Sequence, residues 1–392
     1  MKTCIITSSQ CTRRRLDATL LKDYFRQNGW QITRSAAEAD LIILVTCAFT
    51  GRDEDIAVEM VERFARQKKR MIVTGCLPAI NPQRLAEVFS GETIPTRCLE
   101  SIDRHFPDFT VSFGDLLDAN RASTTISFPA YRPHTILRRL VKYPLLAPRM
   151  FLKKRRIDRE WGQQFYLRTS WGCRGRCSYC VIRGAIGDLR SKPLAACREE
   201  LRRAAARGVS SITLDGDDLG AYGLDIGSSL PELLGALVAE EGDFTLDLNC
   251  LNAVWLARYS EELAGFAGGG RLRRIECCIQ SGSPRILKLM NRYPDTGKVV
   301  SAFLGIKNRS PATILNTHVI VGFPTETEDD LNDTIGVLER VGFDEVIIFH
   351  YQEKEGAASR DIPGKVPEKV IRRRIGRLYR RLSRRGADVL IP

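Results

Sequence analysis

At 392 residues the chain can form two or three domains with full cores, and 43% hydrophobic with 27% charged residues excludes a disordered or fibrous composition. Its net charge of +13 is concentrated between Arg132 and Arg156 and in Lys365–Arg385, which includes Arg372-Arg373-Arg374, Arg380-Arg381 and Arg384-Arg385; such clusters either attract polyanions or form a solvated helix face. No apolar run approaches a membrane span, and Met1–Thr7 followed by Ser8-Ser9-Gln10 is too short and polar for a signal peptide, so a cytoplasmic protein is expected.

In chain order, Cys4–Thr7 reads as a strand, Leu16–Asn28 as a helix stopped by Gly29, and Leu41–Val45 as a buried parallel strand. Ile56–Lys69 reads as a helix and Met71–Thr74 as another strand. This βαβαβ order predicts an N-terminal doubly wound α/β domain over residues 1–91. Cys11, Cys47 and Cys76 each follow one of its strands, so three strands deliver one cysteine apiece to the edge where ligands gather in such sheets. They form either an iron–sulfur site or three unrelated buried cysteines. Residues 92–160 read as a basic linker or insert, with Pro144 and Pro148 breaking any long helix.

Over 161–360 strands and helices alternate again. The expected strands are Phe165–Thr169, Ile212–Leu214, Phe244–Leu248, Arg274–Ile279, Thr313–Val321 and Glu345–Tyr351. The expected helices are Ala195–Arg207, Leu230–Glu240, Pro284–Met290 and Glu328–Val341. Repeated βα units predict a partial (β/α) barrel with its chemistry at the carboxyl ends of the strands, and 361–392 reads as a basic C-terminal helix.

Twelve cysteines in a large chain with no signal peptide point to metal or redox chemistry. The segment Cys173-Arg-Gly-Arg-Cys177-Ser-Tyr-Cys180 places three thiolates in eight residues. Three thiolates suit three corners of a 4Fe–4S cluster and leave the fourth iron open for a small molecule; a zinc site or a pairing among the cysteines is the alternative. Cys4, Cys98, Cys197, Cys250, Cys277 and Cys278 sit mostly in apolar or strand-like settings and read as core filler.

CxxxCxxC with Tyr179 before its last cysteine resembles the radical S-adenosylmethionine (SAM) superfamily, in which the open iron holds SAM and an electron from the cluster yields a 5′-deoxyadenosyl radical. With both cysteine triplets, the chain resembles the radical SAM methylthiotransferase family. The likeness runs through Cys11 with Asp17, Val45-Thr46-Cys47-Ala48, Thr74-Gly75-Cys76 and Gly172–Cys180. It continues through Ala221–Gly227, Gln280-Ser281-Gly282-Ser283 with Leu287–Arg292, and Val321–Thr327.

The resemblance implies two 4Fe–4S clusters, one on Cys173, Cys177 and Cys180 and one on Cys11, Cys47 and Cys76. It also implies SAM, with contacts at Tyr179 (against the adenine), Gly216, Gln280, Ser281 and Gly322, and an electron donor such as a flavodoxin or ferredoxin. Thr325 or Thr327 caps the helix that follows Gly322-Phe323-Pro324.

Some positions depart from the family. Ile186 stands before Gly187 where an Arg is common, with Arg183 or Arg190 as substitutes, Arg14 replaces an Asn, and Cys277-Cys278 replaces a Pro-containing approach to Gln280. No C-terminal β-barrel of the RNA-gripping kind is legible after the basic helix. The expected reaction is methylthiolation of an unactivated C–H, on transfer RNA adenosine first and on a peptide or protein side chain second. A non-catalytic iron–sulfur redox or regulatory protein is the reading from another class.

Overall fold

The computed structural model describes residues 2–8, 11–122 and 164–391; the Arg132–Arg156 block and most of the expected insert lie outside them. The chain divides into two compact units. One comprises Met1–Gln164, Val181–Gly187 and Lys354–Gly356; the other comprises Phe165–Cys180, Asp188–Glu353 and Ala357–Pro392.

The first unit is built on a parallel sheet of five strands, β1 (Thr3–Ser8), β2 (Gln31–Ile32), β3 (Leu41–Thr46), β4 (Arg70–Gly75) and β5 (Glu92–Pro95), in the order β2-β1-β3-β4-β5. Strand β3 is buried at every position, which is why it reads as an unbroken apolar run. The helix Gly51–Ala65 starts earlier than its apolar pattern, because Thr50 and Asp53 form a reciprocal capping box.

The sheet runs past residue 91. Strand β5 pairs with β4, and Leu99, Ile102, Phe106 and Phe113 share one core cluster with Ile6, Ile43 and Ile72. Thr96–His105 is largely 3₁₀ helix, a short-period form without the 3.6-residue signature that sequence reading depends on. Within this unit Lys354 Nζ lies 2.7 Å from the Glu54 carboxylate, which also accepts from Asn81 (2.9 Å) and Arg84 (3.0 Å).

The second unit carries β6 (Phe165–Arg168), β7 (Ser170–Trp171), β8 (Arg190–Ser191), β9 (Ser211–Asp215), β10 (Thr245–Asn252), β11 (Leu272–Gln280), β12 (Ile314–Val321), β13 (Glu345–His350) and β14 (Asp388–Leu390). Seven of them form a parallel sheet in the order β14-β13-β12-β11-β10-β9-β6, an open partial (β/α) barrel, while β7 and β8 pair antiparallel.

The last segment differs from the sequence expectation. After the helix Glu368–Arg384 the chain adds β14, which pairs with β13. The helix buries Ile371, Ile375, Leu378 and Leu382. Its arginines are largely ion-paired: Arg373, Arg374 and Arg377 reach Glu328, Arg374 also reaches Glu326, and Arg381 and Arg385 reach Glu339. Part of the charge that suggested a polyanion-binding face is therefore offset by Glu326, Glu328 and Glu339, each of the latter two shared among several arginines.

Thr327, not Thr325, caps that helix, in a capping box with Asp330. Thr327→Ala is expected to cost about 1 kcal/mol of stability, read as a lower denaturant midpoint with unchanged slope.

Candidate metal and cofactor sites

In the first unit, Cys11 precedes the helix Thr12–Gln27, Cys47 follows β3, and Cys76 follows β4. The parallel sheet thus brings the three cysteines to one edge. Cys76 is fixed through Thr46: its N–H donates to Thr46 O (2.9 Å), and Thr46 Oγ1 donates to Thr74 O (2.7 Å). Gly75 takes a left-handed φ of +101°, and a Cβ there would stand 2.1 Å from Thr46 O, so glycine is what lets β4 close on β3 at the site.

The thiols sense one another. A hydrogen bond from Cys47, opposed by burial and aided by Arg14 and Arg13, brings Cys11 down to about 6, while the same bond and burial push Cys47 well above the usual thiol range. Arg14 is itself held against Asp17 (3.1 Å) and Thr96, and Asp17 accepts from Thr96 (3.1 Å). Asp17 therefore ties the first turns of the helix that follows Cys11 to Thr96.

In the second unit the loop Gly172–Cys180 follows β7. Gly172 N–H donates to Asp217 (3.0 Å), and Gly175 N–H points to Cys173 Sγ (3.2 Å). A Cβ on Gly175 would lie 3.2 Å from Cys173 Sγ and 3.8 Å from Cys177 Sγ, so the loop wraps around a point that both sulfurs border. Burial, with the Asp218 carboxylate nearby, pushes the metal-free Cys173 thiol up to about 12. Asp218 Oδ2 is 3.7 Å from Cys173 Sγ, and its other oxygen accepts from Trp255 Nε1 (2.9 Å).

The loop is clamped from the Leu289–Arg292 turn. Ser178 N–H donates to Met290 O (3.0 Å), Ser178 Oγ to Leu289 O (2.7 Å), and Asn291 Nδ2 to Arg176 O (2.8 Å). Arg292 Nη1 lies 3.6 Å from Cys177 Sγ while its other arm donates to Cys278 O. The Leu287–Arg292 motif was legible in the sequence, but its role as the clamp of the cysteine loop was not.

Each triplet supplies three thiol groups, the donor set that a 4Fe–4S cluster held on three of its irons takes. Among the described residues, the set of three His, Cys, Asp or Glu side chains with ligand atoms all within 4.8 Å of one another is Cys250, Glu276 and Cys278.

The other sequence candidates divide. Gln280 ends β11 with a left-handed φ of +68°, and its buried Oε1 has no hydrogen-bond donor among the described residues, so it is free to accept one. Gly216 follows β9, and a Cβ there would meet Ser170 Oγ at 2.6 Å. Tyr179 is half-buried against Met290, Phe323 and Tyr351, so packing accounts for at least part of the ring. Ser281 is turned inward, its Oγ accepting from Ser283 N–H (3.1 Å) and 3.3 Å from Thr334 Oγ1. Gly322 packs against Ile371, and its N–H donates to Glu326 (2.9 Å).

The Tyr222 motif braces β8: Tyr222 OH donates to Lys192 O (2.9 Å), and Asp225 accepts from Ser191 N–H (2.8 Å) and Oγ (2.6 Å). Arg190 lies over the Trp171 ring (5.1 Å), just before the cysteine loop. Cys4, Cys197 and Cys277 are core, as expected, whereas Cys98 is exposed and Cys250 and Cys278 converge on Glu276.

Comparison with known proteins agrees with this layout. Residues 3–94 match the uncharacterized protein family UPF0004, and residues 168–338 match the radical SAM superfamily. The chain is 28% identical over 374 residues to a ribosomal protein uS12 methylthiotransferase of Thermosipho melanesiensis, covering 94% of this chain and 80% of that one. It is 26% identical over 358 residues to a probable threonylcarbamoyladenosine tRNA methylthiotransferase of Pyrococcus horikoshii, covering 90% and 78%.

Among solved structures, the radical SAM methyltransferase TsrM of Kitasatospora setae superposes with a TM-score of 0.61 at 13% identity, covering 92% of this chain and 77% of that one, a likeness of fold. No helix among the described residues is long and apolar enough to cross a membrane. With a match at each half, methylthiotransferase relatives along nearly the whole chain, and a cysteine triplet in each unit, the chain belongs to the radical SAM methylthiotransferase family, enzymes that work with two 4Fe–4S clusters and SAM.

Proposed function

We propose that this enzyme methylthiolates an adenosine of transfer RNA. The supporting observation is charge. Residues 123–163 carry ten Lys and Arg against Asp158 and Glu160, more than half of the chain's net +13. A run of that density suits a phosphate backbone. The basic C-terminal helix contributes less than its composition suggests, because its arginines face Glu326, Glu328 and Glu339. A protein side chain is the second reading, supported by that neutralisation and by the relatives named for ribosomal protein uS12.

When bound, the clusters and SAM supply a carbon-activating radical and the sulfur, with electrons from a donor such as a flavodoxin or ferredoxin. The chain's own residues hold the parts. Cys173, Cys177 and Cys180 present their sulfurs on a loop clamped by Leu289–Arg292, and Arg292 offers a hydrogen-bond donor beside Cys177 Sγ. Gln280 Oε1 stands ready for an N–H or O–H donor of SAM or substrate. Cys11, Cys47 and Cys76 present the second set from a sheet edge that Thr46 and Gly75 shape.

Bulk transfer RNA is expected to bind at low salt, with the binding constant falling steeply as salt rises. Changing Lys153, Lys154, Arg155 and Arg156 to Gln should flatten the log–log salt slope by about 3–4. Nucleoside mass spectrometry after turnover should show a methylthio-sized gain on adenosine. No RNA binding at low salt, together with methylthiolation of a uS12 peptide, would overturn the RNA reading in favour of the protein one.

A further inference from the structure

Three neighbouring strands of the second unit carry a cluster of chemistry that neither cysteine triplet uses. Glu276 and Cys278 alternate along β11 and so share one face of the sheet. His318 on the adjacent β12 joins them, since Thr317 pairs with the intervening Cys277. Cys250 arrives from β10 on the other side. That strand slips register between Leu248 and Leu251, and Cys250 has a left-handed φ of +59°, a bulge that re-aims its side chain.

The contacts are close. Cys250 Sγ is 3.3 Å from Glu276 Oε1, Cys278 Sγ is 3.3 Å from His318 Nδ1, and His318 Nε2 is 3.4 Å from Glu276 Oε2. The ligand atoms of Cys250, Glu276 and Cys278 all lie within 4.8 Å of one another. Glu276 and Cys278 are buried, and Cys250 and His318 are nearly so.

We propose that Cys250, Glu276 and Cys278 form a third metal site, for a thiophilic divalent cation of the zinc type, with the His318 imidazole at its border completing the coordination. The donor set is two sulfurs, a carboxylate oxygen and an imidazole nitrogen, a mixture that zinc takes in tetrahedral geometry. Zinc–sulfur bonds of about 2.3 Å and zinc–nitrogen or –oxygen bonds of about 2.0 Å place ligand atoms about 3.3–3.8 Å apart. Cys250 Sγ and Glu276 Oε1 stand at 3.3 Å, and His318, which touches Cys278 through Nδ1 and Glu276 through Nε2, would turn one of these nitrogens to the ion. A divalent ion would also offset two of the three negative charges of a buried carboxylate and two thiolates, and buried charges persist where they are paired or bind a metal. The site uses none of the six cysteines of the two triplets.

The test uses full-length holoenzyme with its clusters reconstituted anaerobically, equilibrated with zinc sulfate and desalted. About one zinc per chain is expected beside about eight irons, with two sulfur neighbours at about 2.3 Å in the zinc-edge X-ray absorption. The double variant Cys250→Ser, Cys278→Ser should lose at least tenfold of the zinc and keep its iron. Glu276→Gln, a gentler change, should weaken zinc retention without loss of iron. Zinc below about a tenth of an equivalent, an absorption spectrum with no sulfur neighbour, or equal zinc in the double variant would each overturn the proposal. The last would place the metal in a cluster triplet.

Discussion

Replacing Cys11, Cys47 and Cys76 together with alanine is expected to lower the iron of the reconstituted enzyme from about eight to about four per chain and to abolish sulfur transfer. Reductive cleavage of SAM to 5′-deoxyadenosine should persist, because Cys173, Cys177 and Cys180 lie in the other unit. The mirror variant, with the latter three changed to alanine, should also keep about four irons yet yield no 5′-deoxyadenosine.

The separation follows from how each triplet is built. Cys11, Cys47 and Cys76 are delivered by the ends of β1, β3 and β4 and fixed through Thr46, whereas Cys173–Cys180 is one loop held by Asp217 and by Met290, Leu289 and Asn291. Iron analysis and chromatographic quantitation of 5′-deoxyadenosine separate the two. Sulfur transfer by the first triple variant would remove the N-terminal cysteines from the reaction.

Gly172→Ala should be nearly as damaging, although it removes no ligand. Gly172 has φ +79°, and a Cβ on it would stand 1.9 Å from Asp188 O and 2.9 Å from Leu189 N. Those atoms are backbone, so no rotamer change relieves the clash, and the left-handed conformation adds about 1–2 kcal/mol for a residue bearing a side chain. A destabilisation above about 3 kcal/mol, or loss of the core cluster's iron in whatever folds, is expected. Gly175→Ala is the informative partner: its Cβ meets only sulfurs, at 3.2 and 3.8 Å, so the fold should hold while cluster occupancy falls. A Gly172→Ala protein with full iron and an unchanged melting temperature would show that the loop is not pinned at Asp188.

The fold was legible where burial is complete and local. Leu41–Thr46 and Val346–Phe349 are continuous apolar or β-branched runs, and the cysteines that follow β3 and β4 could be placed at a sheet edge from order alone. What escaped depends on partners distant in sequence. Asp388–Leu390 is too short to announce a strand and is one because β13 offers an edge. The charge of Arg373, Arg374 and Arg381 looked free until Glu328 and Glu339 lay beside it. Cys250 and Cys278 read as core filler, since only the bulge in β10 reveals that they converge across Glu276. Gln280 was singled out from the sequence only as a polar residue in a motif; its buried, unpartnered oxygen comes from the packing around β11, which the sequence does not display.

The Glu54–Lys354 pair has a consequence for how the protein is made. Both side chains are only 8% exposed, and the partners are 300 residues apart in the chain. A ribosome has therefore released the whole of β1 through β5 long before it adds the ammonium that Glu54 needs. Until then the carboxylate must stay hydrated or rely on Asn81 and Arg84, and removing one member of such a buried pair costs about 3–5 kcal/mol. The first unit is thus completed by a segment translated long after its sheet, and a fragment ending before Lys354 should be open around Glu54 to protease and to hydrogen exchange.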